Sequence, residues 1–227
     1  MGIIPIWILF QVDIEGGMMF KRIPNHIGII PDGNRRWAQS QGMEKKDGYS
    51  EGIPPGLRLF ELLTKHGVQE VTFYGFTKDN NKRPVEQRQA FSQACVEAVE
   101  LLKSRNANLL VIGNDSSPAF PEELKPYANK RVIFKEGGTN VNFLVNYDWG
   151  WDLKAAQSAD GKIASSDIPR VDLLIRWGGM RRLSGFLPVQ SVYADFYIID
   201  DYWPDFQDKH FLDALSWYQN CDVTLGG

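Results

Sequence analysis

The sequence predicts a single α/β domain with a central, mostly parallel six-stranded sheet flanked by helices. Apolar strand-like runs alternate with longer helical patterns, the mark of strand–helix–strand units. The chain has 227 residues, 43% hydrophobic and 23% charged, which suits one large globular domain. The apolar run 27–30 stops at Pro31 and opens into a polar turn, the kind of strand-to-loop switch where an open α/β sheet puts a ligand.

The spacing predicts strands near 26–31, 70–76, 108–113, 139–146, 171–176 and 195–199, and helices near 55–66, 84–104, 121–128, 151–159 and 207–219. Pro54 and Pro55 can only begin the first helix, since proline inside it would remove a hydrogen bond. The helix after Arg83 has the clearest pattern: Phe91, Cys95, Ala98 and Leu102 recur at helical spacing, joined by Ala94, Val99 and Leu101. Pro84 and Glu86 mark its start. The last helix carries Phe211, Leu215 and Tyr218 along one side, with Asp205 as its expected N-cap. Residues 159–167 read as a polar connector, and no repeat, low-complexity tract or domain linker is visible.

Net charge is −3 and the sequence pI about 5.7, which argues against a nucleic-acid partner by bulk charge and makes any basic site local. The two cysteines, Cys95 and Cys221, have no metal-ligand spacing, and a reducing cytoplasm is the natural compartment. Cys95, on the apolar stripe, reads as core. Residues 3–10 are strongly apolar but too short to span a bilayer, and they lack the basic flank of a signal peptide. They read as a disordered extension ahead of a start at Met18 or Met19, as a packed element, or as a weak interfacial anchor. We take 1–20 as an N-terminal extension and 21–227 as the domain.

The most informative stretch is His26-Ile27-Gly28-Ile29-Ile30-Pro31-Asp32-Gly33-Asn34-Arg35-Arg36-Trp37. Asp32 can hold a hard cation. Gly33 lets backbone N–H groups approach an anion, and the arginines can fork onto phosphate oxygens. Together they point to a magnesium-diphosphate substrate; alone, the stretch reads equally as an Asp-Gly turn with two solvated arginines. Further blocks follow other strands: Asn80 to Pro84 after 71–76, Arg176-Trp177-Gly178-Gly179 and Arg181-Arg182-Leu183-Ser184 after 171–175, Tyr193-Ala194-Asp195-Phe196-Tyr197, and Trp203-Pro204-Asp205-Phe206.

The order and spacing of these blocks resemble the cis-prenyltransferase family, also called the undecaprenyl diphosphate synthase family, from about residue 26 to the end of the chain. The resemblance implies a cis-prenyltransferase fold with an apolar tunnel, and an Mg²⁺-dependent enzyme joining an allylic prenyl diphosphate to isopentenyl diphosphate. Such a reaction needs a carboxylate for metal, arginines for the departing diphosphate, and an apolar trench that excludes water. By the same resemblance Asp32 is the metal-binding catalytic carboxylate, and Asn80 is the catalytic-loop asparagine that assists proton removal or substrate placement. Gly33, Asn34, Arg35, Arg36, Trp37, Lys45, Tyr49 and Arg83 match the allylic diphosphate cradle. Arg176, Arg182 and Ser184 match the site of the second diphosphate. Asp195 matches a second metal ligand, usually glutamate, which can come from the neighbouring subunit of a homodimer. Phe73, Phe76, Phe91, Phe143 and Leu144 are tunnel candidates, though each reads more readily as core, where aromatic and apolar residues on strands and helices ordinarily sit. Lipophilic substrates would be compatible with peripheral membrane contact.

Several positions depart from the family pattern. Tyr49 stands for a histidine and Lys45 for an arginine, losing a bidentate fork. Asn81 stands for an aromatic residue. Trp177-Gly178-Gly179-Met180 replaces Thr-Gly-Gly-Glu, gaining a ring and losing an acid. Gly185 replaces an asparagine, and Thr224 stands where an arginine normally reaches across the dimer. A compact scaffold and a bulkier mouth imply a short product. Two rival readings are an irregular head-to-middle coupling of allylic diphosphates (or their hydrolysis), and a non-catalytic partner subunit, which typically loses the Asp32-type residue retained here.

Overall fold

A computed structural model describes residues 20–159 and 161–222. The expectations placed on residues 3–10 and on Thr224 fall outside them. Six strands, β1 (His26–Ile30), β2 (Glu70–Tyr74), β3 (Asn108–Ile112), β4 (Asn140–Leu144), β5 (Leu173–Arg176) and β6 (Asp195–Ile198), form one sheet in the order β3-β4-β2-β1-β5-β6. Every pairing is parallel, so the sheet is wholly rather than mostly so. The helices are α1 (Asn34–Ser40), α2 (Ile53–Lys65), α3 (Val85–Lys103), α4 (Trp149–Lys154) and α5 (Asp208–Tyr218).

Strand alternation divides the core between the two sheet faces. Ile27, Ile29, Val71, Phe73, Leu109, Val111, Val141, Phe143, Leu173 and Ile175 pack with the buried sides of α2, α3 and α5. Leu110, Ile112, Leu144 and Leu174 face the other way, against Ile168, Val171, Phe186, Leu187 and the α4 residue Trp151. Covering on both faces explains why residues 27–30 of β1 read as an unbroken apolar run: all five residues of the strand are buried.

Four local differences from the sequence reading have physical causes. Helix α1 was expected as a turn; it is seven residues long, buries only Ala38, and starts at Gly33 with φ 105° and no side-chain cap, so it has neither an apolar stripe nor a capping signature. The expected helix 121–128 is a 3₁₀ turn, Glu122–Tyr127, with Pro126 inside it. The expected helix 151–159 is α4 followed by a single 3₁₀ turn, Ala155–Gln157. Helix α5 is capped by Gln207 and His210 rather than by Asp205, whose carboxylate accepts instead from Trp37 Nε1 at 2.7 Å.

Strand β1 pairs with β2 on one side and β5 on the other, in a register that sets Ile30 beside Arg176 and Ile29 beside Phe73. The residues leaving these strands therefore emerge at one level. The loops after β1 and β5 diverge there and leave a crevice at the carboxyl edge of the sheet.

Candidate active site

Asp32 leaves the end of β1 and stands in this crevice, with its side chain about one-third exposed. Its Oδ1 accepts the Gly33 N–H at 2.6 Å and lies 3.5 Å from Arg36 Nη2; its Oδ2 accepts from Arg176 Nη2 at 2.8 Å. Gly33 is needed for two reasons. Its φ is in the left-handed region, and a Cβ there would come within 2.7 Å of the Tyr202 ring.

Arg176 ends β5 only 3% exposed. Its Nη1 donates to Arg182 O and, at 2.9 Å, to Ser184 Oγ. The Ser184 turn is held by Tyr74, whose hydroxyl donates to Ser184 O at 2.7 Å. Burial pushes the Tyr74 phenol far above its ordinary value, so it remains a donor. Sequence reasoning missed Tyr74; its only signal was a polar tip at the end of an apolar strand.

Arg36 donates to Gly178 O at 3.0 Å and lies over the Tyr202 ring. Arg35, Arg83 and Arg182, in contrast, have no carboxylate within ion-pair distance among the described residues. These unneutralised charges line two polar lobes that share Pro31, Asp32, Arg83, Phe91 and Arg182. One lobe adds Gly33, Asn34, Arg35, Arg36 and Met180; the other adds Tyr74, Asp79, Asn80, Arg176 and Ser184. Asn80 sits in the 3₁₀ turn Lys78–Lys82, where its Oδ1 accepts the Thr77 N–H at 3.0 Å and so orders the segment carrying Arg83.

An apolar pocket adjoins both lobes and shares Pro31 and Phe91 with them. Small residues on α3, Ala94 and Ala98, make its room, and Leu102, Phe73 and Phe143 lie deeper. The last two rings stack with centroids 5.3 Å apart. Of the tunnel candidates, Phe73, Phe91 and Phe143 line this pocket. Leu144 does not, because strand alternation turns it to the opposite sheet face, and Phe76 packs behind Phe91 instead. Cys95, also lining the pocket, is a buried thiol pushed up to about 12, which leaves it protonated.

Four expected site residues stand elsewhere or act differently. Tyr49 lines the apolar pocket rather than a polar lobe, and its hydroxyl accepts from Arg83 Nη1 at 2.8 Å. Lys45 is half-buried in the turn after α1 and lines neither lobe. Trp37 is tied to Asp205 at the rim. Asp195 opens β6 beside Leu173, three residues before Arg176 on the neighbouring strand, which places it about 10 Å back along the sheet from the crevice. Its nearest cation is Arg22, at 4.0 Å. Trp177, expected to crowd the mouth, is fully buried beneath it, edge-on to Trp203 at 4.7 Å. The ring fills core, so the mouth is not made bulkier by it.

The fold and cleft define an α/β protein with its arginine-rich site at the carboxyl edge of a parallel sheet, joined to an apolar pocket. The profile of a family described as "Putative undecaprenyl diphosphate synthase" matches residues 30–226. The chain is 31% identical over 231 residues to the ditrans,polycis-undecaprenyl-diphosphate synthase ((2E,6E)-farnesyl-diphosphate specific) of Pasteurella multocida, covering 91% of this chain and 96% of that protein. It is 30% identical over 228 residues to the synthase of the same name from Aliivibrio fischeri, covering 90% and 89%. Among solved structures, lavandulyl diphosphate synthase from Lavandula x intermedia in complex with dimethylallyl diphosphate superposes with a TM-score of 0.74 at 25% identity, over 90% of this chain and 98% of that one. The chain belongs to the undecaprenyl diphosphate synthase family of cis-prenyltransferases, and it is accordingly a transferase of isoprenoid synthesis.

Proposed function

We propose that the chain condenses an allylic prenyl diphosphate with isopentenyl diphosphate, releasing pyrophosphate and yielding a short Z-prenyl diphosphate. The observation that carries this reading is continuity: two arginine-lined lobes and one apolar pocket meet at Pro31 and Phe91. A molecule with an anionic head and an apolar tail fits that junction, and a second diphosphate has a lobe of its own.

In this reading Gly33, Asn34, Arg35, Arg36 and Arg83 hold the allylic diphosphate. Negative charge grows on its bridging oxygen as the allylic C–O bond breaks, and fixed guanidinium groups stabilise that charge in place. Arg182 and Ser184, the latter positioned by Arg176, receive the second diphosphate, and Asn80 places that substrate or assists loss of its proton. The apolar pocket holds the tail and keeps water from the developing cation. Between Phe91 and Leu102, α3 advances about 16 Å at about 1.5 Å per residue, a depth suited to a short tail.

No group of three or more acidic, histidine or cysteine side chains gathers among the described residues. Asp32 suits Mg²⁺, which is commonly held by one or two carboxylates together with substrate phosphates and water; Asp79, which also lines one lobe, is exposed and paired with Lys82. When bound, the ion would supply neutralising charge to the departing diphosphate. Asp195 could join such a site only from a second copy of the chain, which supports a homodimer.

Head-to-middle coupling of two allylic diphosphates is a second reading, favoured by the likeness to the lavandulyl diphosphate synthase. The test is incubation with Mg²⁺ and dimethylallyl, geranyl or farnesyl diphosphate, each with and without isopentenyl diphosphate, followed by mass spectrometry. Products that require isopentenyl diphosphate are expected. Products from allylic substrate alone would replace the first reading by the second, and no product from any mixture would overturn both.

A further inference from the structure

We propose that Tyr49 is a positioning residue: through its hydrogen bond to Arg83 it sets where a diphosphate sits at the mouth of the apolar pocket. This deepens the diphosphate reading and rests on it. Tyr49 belongs to the 3₁₀ segment Asp47–Gly52, which packs against α1 and α3. The segment can close onto α1 because residue 48 is glycine: a Cβ there would fall 2.1 Å from Asn34 O. That approach carries the Tyr49 ring under the cleft, 5% exposed and stacked on Phe91 with centroids 4.6 Å apart and planes 3° from parallel.

Arg83 meets this platform at two points. Its Nη1 donates to the Tyr49 hydroxyl at 2.8 Å, and its guanidinium carbon lies over the Phe91 ring, 5.6 Å from the centroid. No carboxylate neutralises it among the described residues, yet it lines both polar lobes. A neutral hydroxyl and a ring face therefore orient the fork without consuming its charge, and the remaining N–H donors stay available to an anion. Burial raises the Tyr49 phenol against the pull of Arg83 and Arg35, so the acceptor stays uncharged. The phenol itself lies on the apolar side of the junction, lining the pocket rather than a lobe. It therefore acts on a head group through Arg83, not by touching it.

The test is a double-mutant cycle read by calorimetry with inorganic pyrophosphate and Mg²⁺. Tyr49→Phe keeps the stacked ring and removes only the acceptor. It is expected to weaken pyrophosphate binding about fivefold to tenfold, the scale of one ordinary hydrogen bond. Its thermal midpoint should stay close to wild type. Arg83→Ala should lose at least as much, and adding Tyr49→Phe to it should cost nothing further. In turnover assays the Tyr49→Phe loss should appear in KM, with kcat largely kept. Wild-type affinity in Tyr49→Phe, or additive losses in the double variant, would overturn the inference while leaving the diphosphate reading intact. A wild-type protein that binds no pyrophosphate would remove that reading, and the inference with it.

Discussion

At the scale of single residues, the cleft is organised by which charges are paired. Asp32 is tied to Arg176 and to the Gly33 N–H, while among the described residues no carboxylate pairs with Arg35, Arg83 or Arg182. Asp32→Asn keeps an acceptor for the Gly33 N–H but loses the charge that a cation needs. It should lower kcat/KM at least about a hundredfold with little change in melting temperature. Near-wild-type turnover in that variant would remove Asp32 from the proposed chemistry. The motif around Asp32 was legible in the sequence because a polar cluster breaks an apolar run. The Tyr49–Arg83 and Tyr74–Ser184 bonds were not, since they join positions 34 and 110 residues apart.

At the scale of elements, β1 and α3 give the clearest expectations. His26 opens β1 fully buried, with Nδ1 toward the Pro169 and Arg170 carbonyls and Nε2 2.8 Å from Thr72 Oγ1. Burial lowers its pKa, outweighing Glu70, the two carbonyls and Asp172, which act to raise it. The unfolded chain thus takes up a proton near pH 6.5 that the folded chain resists. The stability contributed by the neutral ring is present above about pH 6.5 and falls as pH drops below it. Thermal melts between about pH 5 and pH 7.5 should show that slope in wild type and a shallower one in His26→Gln. His66, also lowered by burial, leaves a residual slope in the variant. On α3, Ala98→Leu should fill the apolar pocket, lowering kcat/KM for farnesyl diphosphate about tenfold while sparing dimethylallyl diphosphate. Product analysis by mass spectrometry would check it; unchanged use of the longer substrate would separate the pocket from the tail.

At the scale of the whole molecule, Asp195 sets the question of assembly. It stands at the amino end of β6, an edge strand, away from the Asp32 of its own chain. If a second copy supplies it, Asp32→Ala and Asp195→Ala proteins, each inactive, should complement when unfolded together and refolded. Random pairing would restore about a quarter of wild-type turnover, because half the dimers would hold one intact site. Absence of recovery, with both variants folded and dimeric, would exclude a shared site. No helix of the described residues is long and apolar enough to cross a membrane.

The sequence by itself determined the α/β class, the strand positions and the succession of site motifs. Each is written in local periodicity and in breaks of apolar runs, which neighbouring residues carry without reference to the rest of the chain. It could not reveal α1, whose single buried residue leaves no stripe, nor the burial of Trp177, whose ring packs under the mouth rather than in it. Nor could it place Asp195 back along the sheet from the crevice, or turn Leu144 away from the pocket while Phe143 faces it. Those outcomes depend on strand register and on contacts between distant segments. A one-residue difference in register exchanges the two faces of a strand, so only the tertiary structure could decide them.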